Sequence, residues 1–176
     1  MNVKIMGIAF GLAALLAASV LLVQSSSAES ATSSTDRPAI APGWKLQTVD
    51  GKTLQSSDFK GKVVILDFWA TWCPPCRAEI PDLIALQKQY GEKGLAVIGV
   101  SVDQDGAAAV KTFAKKFGIN YPVVLADQKV VRDYGGIEGI PTTFVIDRLR
   151  RIVTQHVGYT DKADFENEIT PLLSAK

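Results

Sequence analysis

Cysteine and histidine are scarce in this chain of 176 residues, which contains two cysteines and one histidine, His156. Two cysteines cannot build a disulfide scaffold. With one histidine, they cannot complete a four-ligand zinc site unless carboxylates join them. We therefore expect no metal centre, and the cysteine pair needs an explanation of its own.

An excess of charge of either sign is also lacking. Lys and Arg number 19 against 18 for Asp and Glu, which gives a formal net charge of +1, and no block of like charges stands out. Domains that bind nucleic acid usually carry a basic patch or stripe. We therefore expect no nucleic-acid partner.

An uncharged apolar run occupies residues 5–23, directly after Lys4. Its length approaches the ~20 residues that span a bilayer, which favours a retained anchor. The small residues Ser26-Ser27-Ala28 would also serve as a cleavage site, so residues 1–23 are predicted to be a signal peptide or a membrane anchor. In both cases Lys4 stays inside, so we expect the rest of the chain on the periplasmic side of the inner membrane, anchored or released.

The remaining sequence divides into a linker and one domain. Residues 24–41 are rich in Ser, Thr and Ala and predict a flexible linker. Residues 42–176 are near the commonest size of a single domain, and their apolar runs alternate between strand and helix patterns, which indicates an α/β fold. The pattern predicts a hairpin around Asp50-Gly51, strands at 62–70, 95–103, 121–127, 142–147 and 151–158, helices at 75–90, 107–117 and 161–173, and a helical turn at 130–135. Thr160 is the predicted cap of the last helix.

Both cysteines lie in one Cys-Pro-Pro-Cys turn at the start of a predicted helix, directly after a buried strand. Unpaired amides at a helix N-terminus stabilise an anion, so Cys73 is predicted to be an exposed, easily ionised nucleophile. Cys76, one turn on and more buried, suits the resolving role. Pro74 and Pro75 fit the first turn because the N–H groups that they lack have no partner within a helix.

Two other interpretations of the pair stay open. A structural disulfide that closes a four-residue loop adds only about 2 kcal/mol to the free energy of unfolding, against about 3 kcal/mol for a fifteen-residue loop. Stabilisation of the fold therefore does not explain this spacing well. A Cu(I)-binding metallochaperone is the second alternative, because Cu(I) accepts two soft thiolates. Redox exchange remains the favoured interpretation.

The stretches "VVILDFWATWCPPC" and "GIPTTFVID" resemble thioredoxin-fold proteins, and more closely the exported thiol–disulfide oxidoreductases of the TlpA and ResA type. The resemblance covers residues 44–173. It implies a central mixed sheet flanked by helices, an N-terminal β-hairpin and a helix–strand insertion at 103–139. It also implies that the Cys73–Cys76 disulfide is the redox group and that no other cofactor is needed.

The resemblance assigns expected roles to further residues. Trp72 stands beside the nucleophile, and Pro141, after Ile140, matches the cis-proline that faces the cysteine pair and whose backbone edge can pair with an extended client chain. Pro81 matches the proline inside the active-site helix. The predicted client-contacting residues are Trp72, Pro74, Pro75, Ile140 and Pro141.

Two carboxyl groups complete the predicted site. Asp67 interrupts an apolar strand and resembles the buried aspartate that takes the proton from the resolving cysteine, here Cys76. Two departures from the family pattern complicate this role: Gly99 falls where thioredoxin has a lysine, and ResA-type proteins more often have asparagine at position 67. The alternative that Asp67 is an inert core aspartate therefore stays open. Glu79 corresponds to a ResA-type glutamate that tunes the cysteines, although a solvated helix carboxylate is the alternative.

The function expected from these residues is the reduction of protein disulfides outside the cytoplasm. Two prolines in the first turn remove amides that would stabilise the Cys73 thiolate, which favours a reductant. By resemblance, the clients include apocytochrome c cysteines and other exported proteins, and electrons come from a membrane donor. A thiol peroxidase is disfavoured because Thr71 lies two residues before Cys73, whereas peroxiredoxins have Thr-x-x-Cys.

Overall fold

The structure is a computed structural model that describes residues 39–175. The predicted signal or anchor at 1–23 and most of the predicted linker lie outside the described residues. Within 39–175, none of the helices has the length and apolar character needed to cross a bilayer. The elements are β1 Lys45–Gln47, β2 Thr53–Gln55, β3 Val63–Trp69, α1 Pro74–Tyr90, β4 Leu95–Ser101, α2 Ala107–Phe117, β5 Val123–Leu125, α3 Gln128–Asp133, β6 Thr142–Ile146, β7 Ile152–Val157 and α4 Lys162–Ser174.

The main sheet is mixed and has the strand order β5-β4-β3-β6-β7. β3 pairs in parallel with β4 and antiparallel with β6, so it is covered by a neighbour at each edge. β1 and β2 form a separate antiparallel hairpin, and Gly51 in its turn has a φ of 79°. The predicted thioredoxin-like fold, with its mixed sheet and N-terminal hairpin, is confirmed.

The two faces of the sheet bury different side chains. Because side chains alternate along a strand, Ile65 and Trp69 of β3 point to the face that also buries residues of α1, α2 and α4. Leu66 and Phe68 point to the opposite face, together with residues of the segment at 41–46 and of α3. Asp67 has the parity of Ile65 and Trp69, so its carboxyl lies in the layer that contains both cysteines.

Several bounds differ from the sequence prediction by one or two residues, as in β5 at Val123–Leu125 and α3 at Gln128–Asp133. Two of the differences are explained by specific contacts. Asp161, and not Thr160, caps α4, since the Asp161 Oδ1 accepts from the Asp164 N–H at 2.9 Å. The Thr160 amide is turned toward Glu79 instead, a contact between distant parts of the chain. The folded part also begins before residue 42, because Ile40 forms a β-bridge with Arg151 and Ala41 is buried.

Gly99 of β4 stands beside Asp67 in the register of the sheet. A Cβ atom at this position would lie 2.7 Å from the Trp69 Nε1 and 3.3 Å from the Tyr121 Cε2. Trp69 is fully buried, and its indole is a rigid ring. The glycine is therefore required by packing, and the indole and phenol rings occupy the space that a side chain would fill.

Gly99→Ala is expected to lower the free energy of unfolding by about 1–3 kcal/mol, because the new methyl group overpacks a closed layer. Urea unfolding followed by tryptophan fluorescence measures the change. The matched control is Gly43→Ala, where the Cβ would stay 3.6 Å from its nearest neighbour and the effect should be within about 0.5 kcal/mol. Equal stability of the Gly99→Ala and native proteins would contradict this account of the packing.

Candidate active site

Cys73 is the N-cap residue of α1, and its sulfur accepts a hydrogen bond from the Cys76 N–H at 3.3 Å. Pro74 and Pro75 occupy the first two helical positions and have no N–H to donate. The Arg77 N–H bonds to the Cys73 carbonyl and begins the helix ladder. The Cys76 amide is thus the first amide of the helix, and it is directed at the Cys73 sulfur.

The two cysteines form a disulfide, with their Cα atoms 5.3 Å apart. Cys73 is 3% exposed and Cys76 is 1% exposed, so the prediction of a solvent-exposed attacking sulfur is wrong for this disulfide form. The physical reason is that the Cys73 sulfur is bonded to the inner cysteine and also lies 3.6 Å from the Ile140 carbonyl oxygen. The predicted order of exposure, with Cys73 the more accessible, is retained.

The loop before β6 forms the other side of the disulfide. The Ile140–Pro141 peptide bond is cis, as the family resemblance implied, and the Ile140 carbonyl oxygen lies beside the Cys73 sulfur. The Gly158 N–H donates to the Pro141 carbonyl at 2.8 Å, which ties the loop to the end of β7. Trp72, adjacent to Cys73 in the chain, is 63% exposed. The exposed ring of Trp72 and the backbone carbonyl of Ile140 therefore form a rim around the disulfide.

Asp103 fixes the turn that leads into the cysteines, a role that the sequence analysis missed. Its carboxylate accepts from the Thr71 N–H at 3.0 Å, from the Thr71 hydroxyl at 2.5 Å and from the Ser101 hydroxyl at 2.8 Å. The available signal was topological, since β3 and β4 are parallel neighbours whose carboxyl ends meet at one edge of the sheet. Asp103 at the end of β4 was thus placed to reach Thr71 at the end of β3.

Asp67 and Glu79 lie in the protein interior, 1% and 0% exposed. The Thr143 hydroxyl donates to the Asp67 Oδ1 at 3.3 Å, and the Thr160 N–H donates to the Glu79 Oε1 at 2.9 Å. The alternative of a solvated Glu79 is therefore wrong. Sequence spacing placed Glu79 on the side of α1 that carries Cys76, but only the packing of the Thr160 segment over α1 buries it.

The two carboxyl groups are less acidic than usual. Burial raises the pKa of Asp67 well above its ordinary value, and the charge of Glu79 adds to the effect. Burial also raises the pKa of Glu79, to about 7, against the lowering by its hydrogen bond from the Thr160 amide. Two neighbouring buried carboxyls resist ionising together, so the pair retains a proton near neutral pH. A group with these properties can exchange protons with a nearby thiol.

The site has the parts of a thiol–disulfide exchange centre. They are a disulfide at the start of a helix, a cis-proline loop against it and a carboxyl pair in the same layer. The fold and the site thus define the class, and this protein is a thiol–disulfide oxidoreductase of thioredoxin fold. The chain belongs to the redoxin family, whose sequence profile matches residues 29–169.

The similar proteins agree with this class. The thiol-disulfide oxidoreductase ResA of Bacillus subtilis (strain 168) is 36% identical over 134 residues, which are 74% of this chain and 74% of the relative. A thiol:disulfide interchange protein of the thioredoxin family from Chlorobium tepidum TLS has a solved structure with a TM-score of 0.73 and 42% identity, covering 78% of this chain and 98% of that one. A secreted thiol-disulfide isomerase from Corynebacterium glutamicum gives a TM-score of 0.73 at 27% identity, covering 81% and 89%.

Glu79→Gln tests the buried carboxyl through the pH dependence of stability. Because the pKa of Glu79 is raised to about 7 in the folded protein, the native state binds more protons than the unfolded state between about pH 4.5 and 7. The Glu79 carboxyl therefore makes stability fall as the pH rises through this range, by about 3 kcal/mol. Glutamine keeps the acceptor for the Thr160 amide and cannot ionise, so the variant should lose this contribution, while the raised pKa of Asp67 still lowers its stability as the pH rises.

The measurement is urea unfolding of the disulfide form at several pH values from 4 to 8, which keeps thiol titration out of the comparison. Glu92→Gln, at an exposed position, is the control and should follow the native curve. Parallel curves for the native protein and Glu79→Gln would contradict a buried, protonated Glu79.

Proposed function

We propose that this protein is an exported reductase of protein disulfides that acts through its Cys73–Cys76 dithiol. The observation that carries the proposal is the Cys-Pro-Pro-Cys turn at the start of α1, in which the Cys76 amide is directed at the Cys73 sulfur. Export is supported by the apolar segment at residues 5–23. It is also supported by the similarity to a protein described as a secreted thiol-disulfide isomerase.

The direction of electron flow follows from how the thiolate is stabilised. A couple becomes strongly oxidising when its reduced, thiolate form is stabilised. Pro74 and Pro75 withhold two amides from the Cys73 sulfur, and the carboxyl pair buried in the same layer opposes additional negative charge. Both features favour a thiol of higher pKa and a more reducing couple.

The reaction proceeds in two displacements. The Cys73 thiolate attacks a client disulfide and forms a mixed disulfide, and one client sulfur leaves as a thiol after taking up a proton. Cys76 then gives its proton to the carboxyl pair and attacks the Cys73 sulfur, and the second client sulfur leaves as a thiolate that takes up a proton. The client gains two electrons and two protons, while the dithiol of this protein becomes the disulfide.

The rim of the disulfide supplies the client contacts in this proposal. Trp72 offers an exposed ring, the prolines of the turn offer apolar contact, and the backbone at Ile140 offers an edge for an extended client segment. Pro141 holds this edge in place, since its carbonyl accepts from the Gly158 N–H. The clients are exported proteins with disulfides, among them apocytochrome c cysteines. A membrane electron donor restores the dithiol, and residues 1–23 direct or anchor the domain to the periplasmic side.

Cys76→Ala tests the mechanism because it leaves the attacking cysteine without its resolving partner. Expressed with its full N-terminal segment, this variant is expected to accumulate mixed disulfides with extracytoplasmic proteins, visible as dithiothreitol-sensitive bands on non-reducing gels. Cys73→Ala is the matched control, and it should trap at most a tenth as much, since in this mechanism Cys73 attacks the client disulfide and Cys76 attacks only the Cys73 sulfur.

The same preparations separate this function from Cu(I) handling. The native protein should reduce insulin disulfides in the presence of dithiothreitol and should release Cu(I) to a competing chelator. Failure to trap any protein, together with retention of Cu(I) against the chelator, would reject the reductase and support the carrier.

A further inference from the structure

The charged residues of the connecting segments are divided unequally between the two ends of the main sheet. The disulfide end is formed by the segments 70–73, 102–106, 126–127, 134–141 and 158–161. These segments contain no lysine or arginine, and their acidic residues are Asp103, Asp105, Asp127, Glu138 and Asp161. The opposite end, here termed the basic end, includes the segments 56–62, 91–94 and 147–151. Its basic residues are Lys60, Lys62, Lys93, Arg148, Arg150 and Arg151, against the acidic residues Asp58, Glu92 and Asp147.

Arg148 joins the three segments of the basic end into one surface. Its Nη1 donates to the Gly61 carbonyl at 2.8 Å, and its Nη2 donates to the Leu173 carbonyl at the end of α4 at 2.9 Å. Both nitrogens also lie 3.3 Å from the position that a Cβ on Gly94 would occupy. The chain shows no block of like charges because the fold collects these residues from separate segments.

The charge of the lysines in this surface is not neutralised within the domain. Arg151 is paired with Asp147 at 2.6 Å. Lys60, Lys62 and Lys93 are exposed, and none of them forms an ion pair with another residue in 39–175. The basic end therefore presents positive charge that is available to an anionic partner.

Two large apolar side chains are exposed at the same end. Ile40 is 62% exposed and Leu149 is 68% exposed, and Ile40 forms a β-bridge with Arg151, two residues beyond Leu149. A cleft of ≈ 250 Å³ lies beside Leu149, between the β6–β7 turn and the end of α4. Exposed apolar side chains among lysine and arginine are typical of surfaces that lie at the headgroup boundary of a membrane.

The chain enters the described domain at the basic end. The Ile152 N–H donates to the Ala39 carbonyl at 2.8 Å, and the Ala41 N–H donates to the Arg150 carbonyl at 2.7 Å. Residues 24–38 separate this entry point from the apolar run at 5–23. A segment of this length spans at most about 50 Å, so an anchor formed by the apolar run keeps the basic end within reach of the lipid surface.

We propose that the basic end docks on anionic lipid headgroups and holds the disulfide end away from the bilayer. Lys60, Lys62 and Lys93 supply the charge, and Ile40 and Leu149 enter the headgroup boundary. The inference rests on the proposed export and anchoring, which place the domain beside a lipid surface. It involves no step of the thiol chemistry.

Electrostatics favours one orientation at such a surface. Each lysine or arginine next to an anionic leaflet raises partitioning about fivefold, and the effect fades beyond ~8 Å at physiological salt. The acidic segments of the disulfide end are repelled by the same surface. The two ends therefore act together, and the exposed ring of Trp72 is left facing clients in solution.

The test uses the full chain in lipid nanodiscs that contain phosphatidylglycerol and a trace of lipid with a gadolinium chelate on its headgroup. Amide NMR signals of Lys62 and Leu149 should be broadened at least about fivefold more than the signal of Trp72, because the basic end lies at the headgroups. In discs of phosphatidylcholine alone, or in about 1 M salt, this preference should be lost.

The triple variant Lys60→Gln, Lys62→Gln and Lys93→Gln tests the residues. It should lower the ratio of docked to free domain about a hundredfold and so remove the preferential broadening. The matched control is Lys129→Gln, Arg132→Gln and Lys162→Gln, which removes the same charge from α3 and from the start of α4, both of which begin at the disulfide end. This control should stay within about twofold of the native ratio.

Equal broadening at Trp72 and Leu149 in the anionic discs would overturn the proposal, as would a preference that survives in the first triple variant. A basic end that serves a protein partner instead of lipid gives no preference in these discs, which also overturns it. No client takes part in these measurements, so they can fail while Cys76→Ala still traps client proteins, and they can succeed if trapping fails.

Discussion

The start of α1 is the constraint on which the site depends. A helix N-terminus normally presents several free amides, and here two prolines leave the Cys76 N–H as the first amide and direct it at the Cys73 sulfur. The position of this cap is fixed from outside the helix, because the Asp103 carboxylate holds Thr71 in the preceding turn. The structure thus combines rigid placement of the sulfur with modest stabilisation of its anion.

The same elements place the buried carboxyl pair. β3 leads directly into the turn, and its alternation turns Asp67 into the layer that contains the cysteines. α1 carries Glu79 three residues after Cys76, on the same side of the helix, and the Thr160 segment closes over it. One strand and one helix therefore bring the cysteine pair and two buried carboxyl groups into one layer of the fold.

Local patterns made much of this fold predictable from the sequence. The bounds of α2 at Ala107–Phe117 agree with the predicted helix because its apolar stripe and flanking glycines are local signals. β3 and the cis bond before Pro141 were predicted from the motifs "VVILDFWATWCPPC" and "GIPTTFVID". The burial of Asp67 followed from its position within a continuous apolar strand.

What the sequence did not predict depends on contacts between distant segments. The burial of Glu79 requires Thr160, 81 residues away along the chain, and the anchoring of Thr71 requires Asp103. The place of Tyr121 beside Asp67 depends on the register of β3 with β4, and the low exposure of Cys73 depends on the Ile140 loop. No local pattern encodes these contacts. The parallel pairing of β3 with β4 only limits which residues at the ends of these strands can meet.

The most direct test of the account is the reduction potential of the Cys73–Cys76 couple in the native protein, measured by equilibration with dithiothreitol redox buffers at pH 7. The Cys73 sulfur accepts a hydrogen bond from only one helix amide, and the buried carboxyl pair opposes further negative charge. The couple should therefore have a potential below about −200 mV, toward the ~−270 mV of reducing couples. A potential near −120 mV, at the strongly oxidising end, would contradict the account.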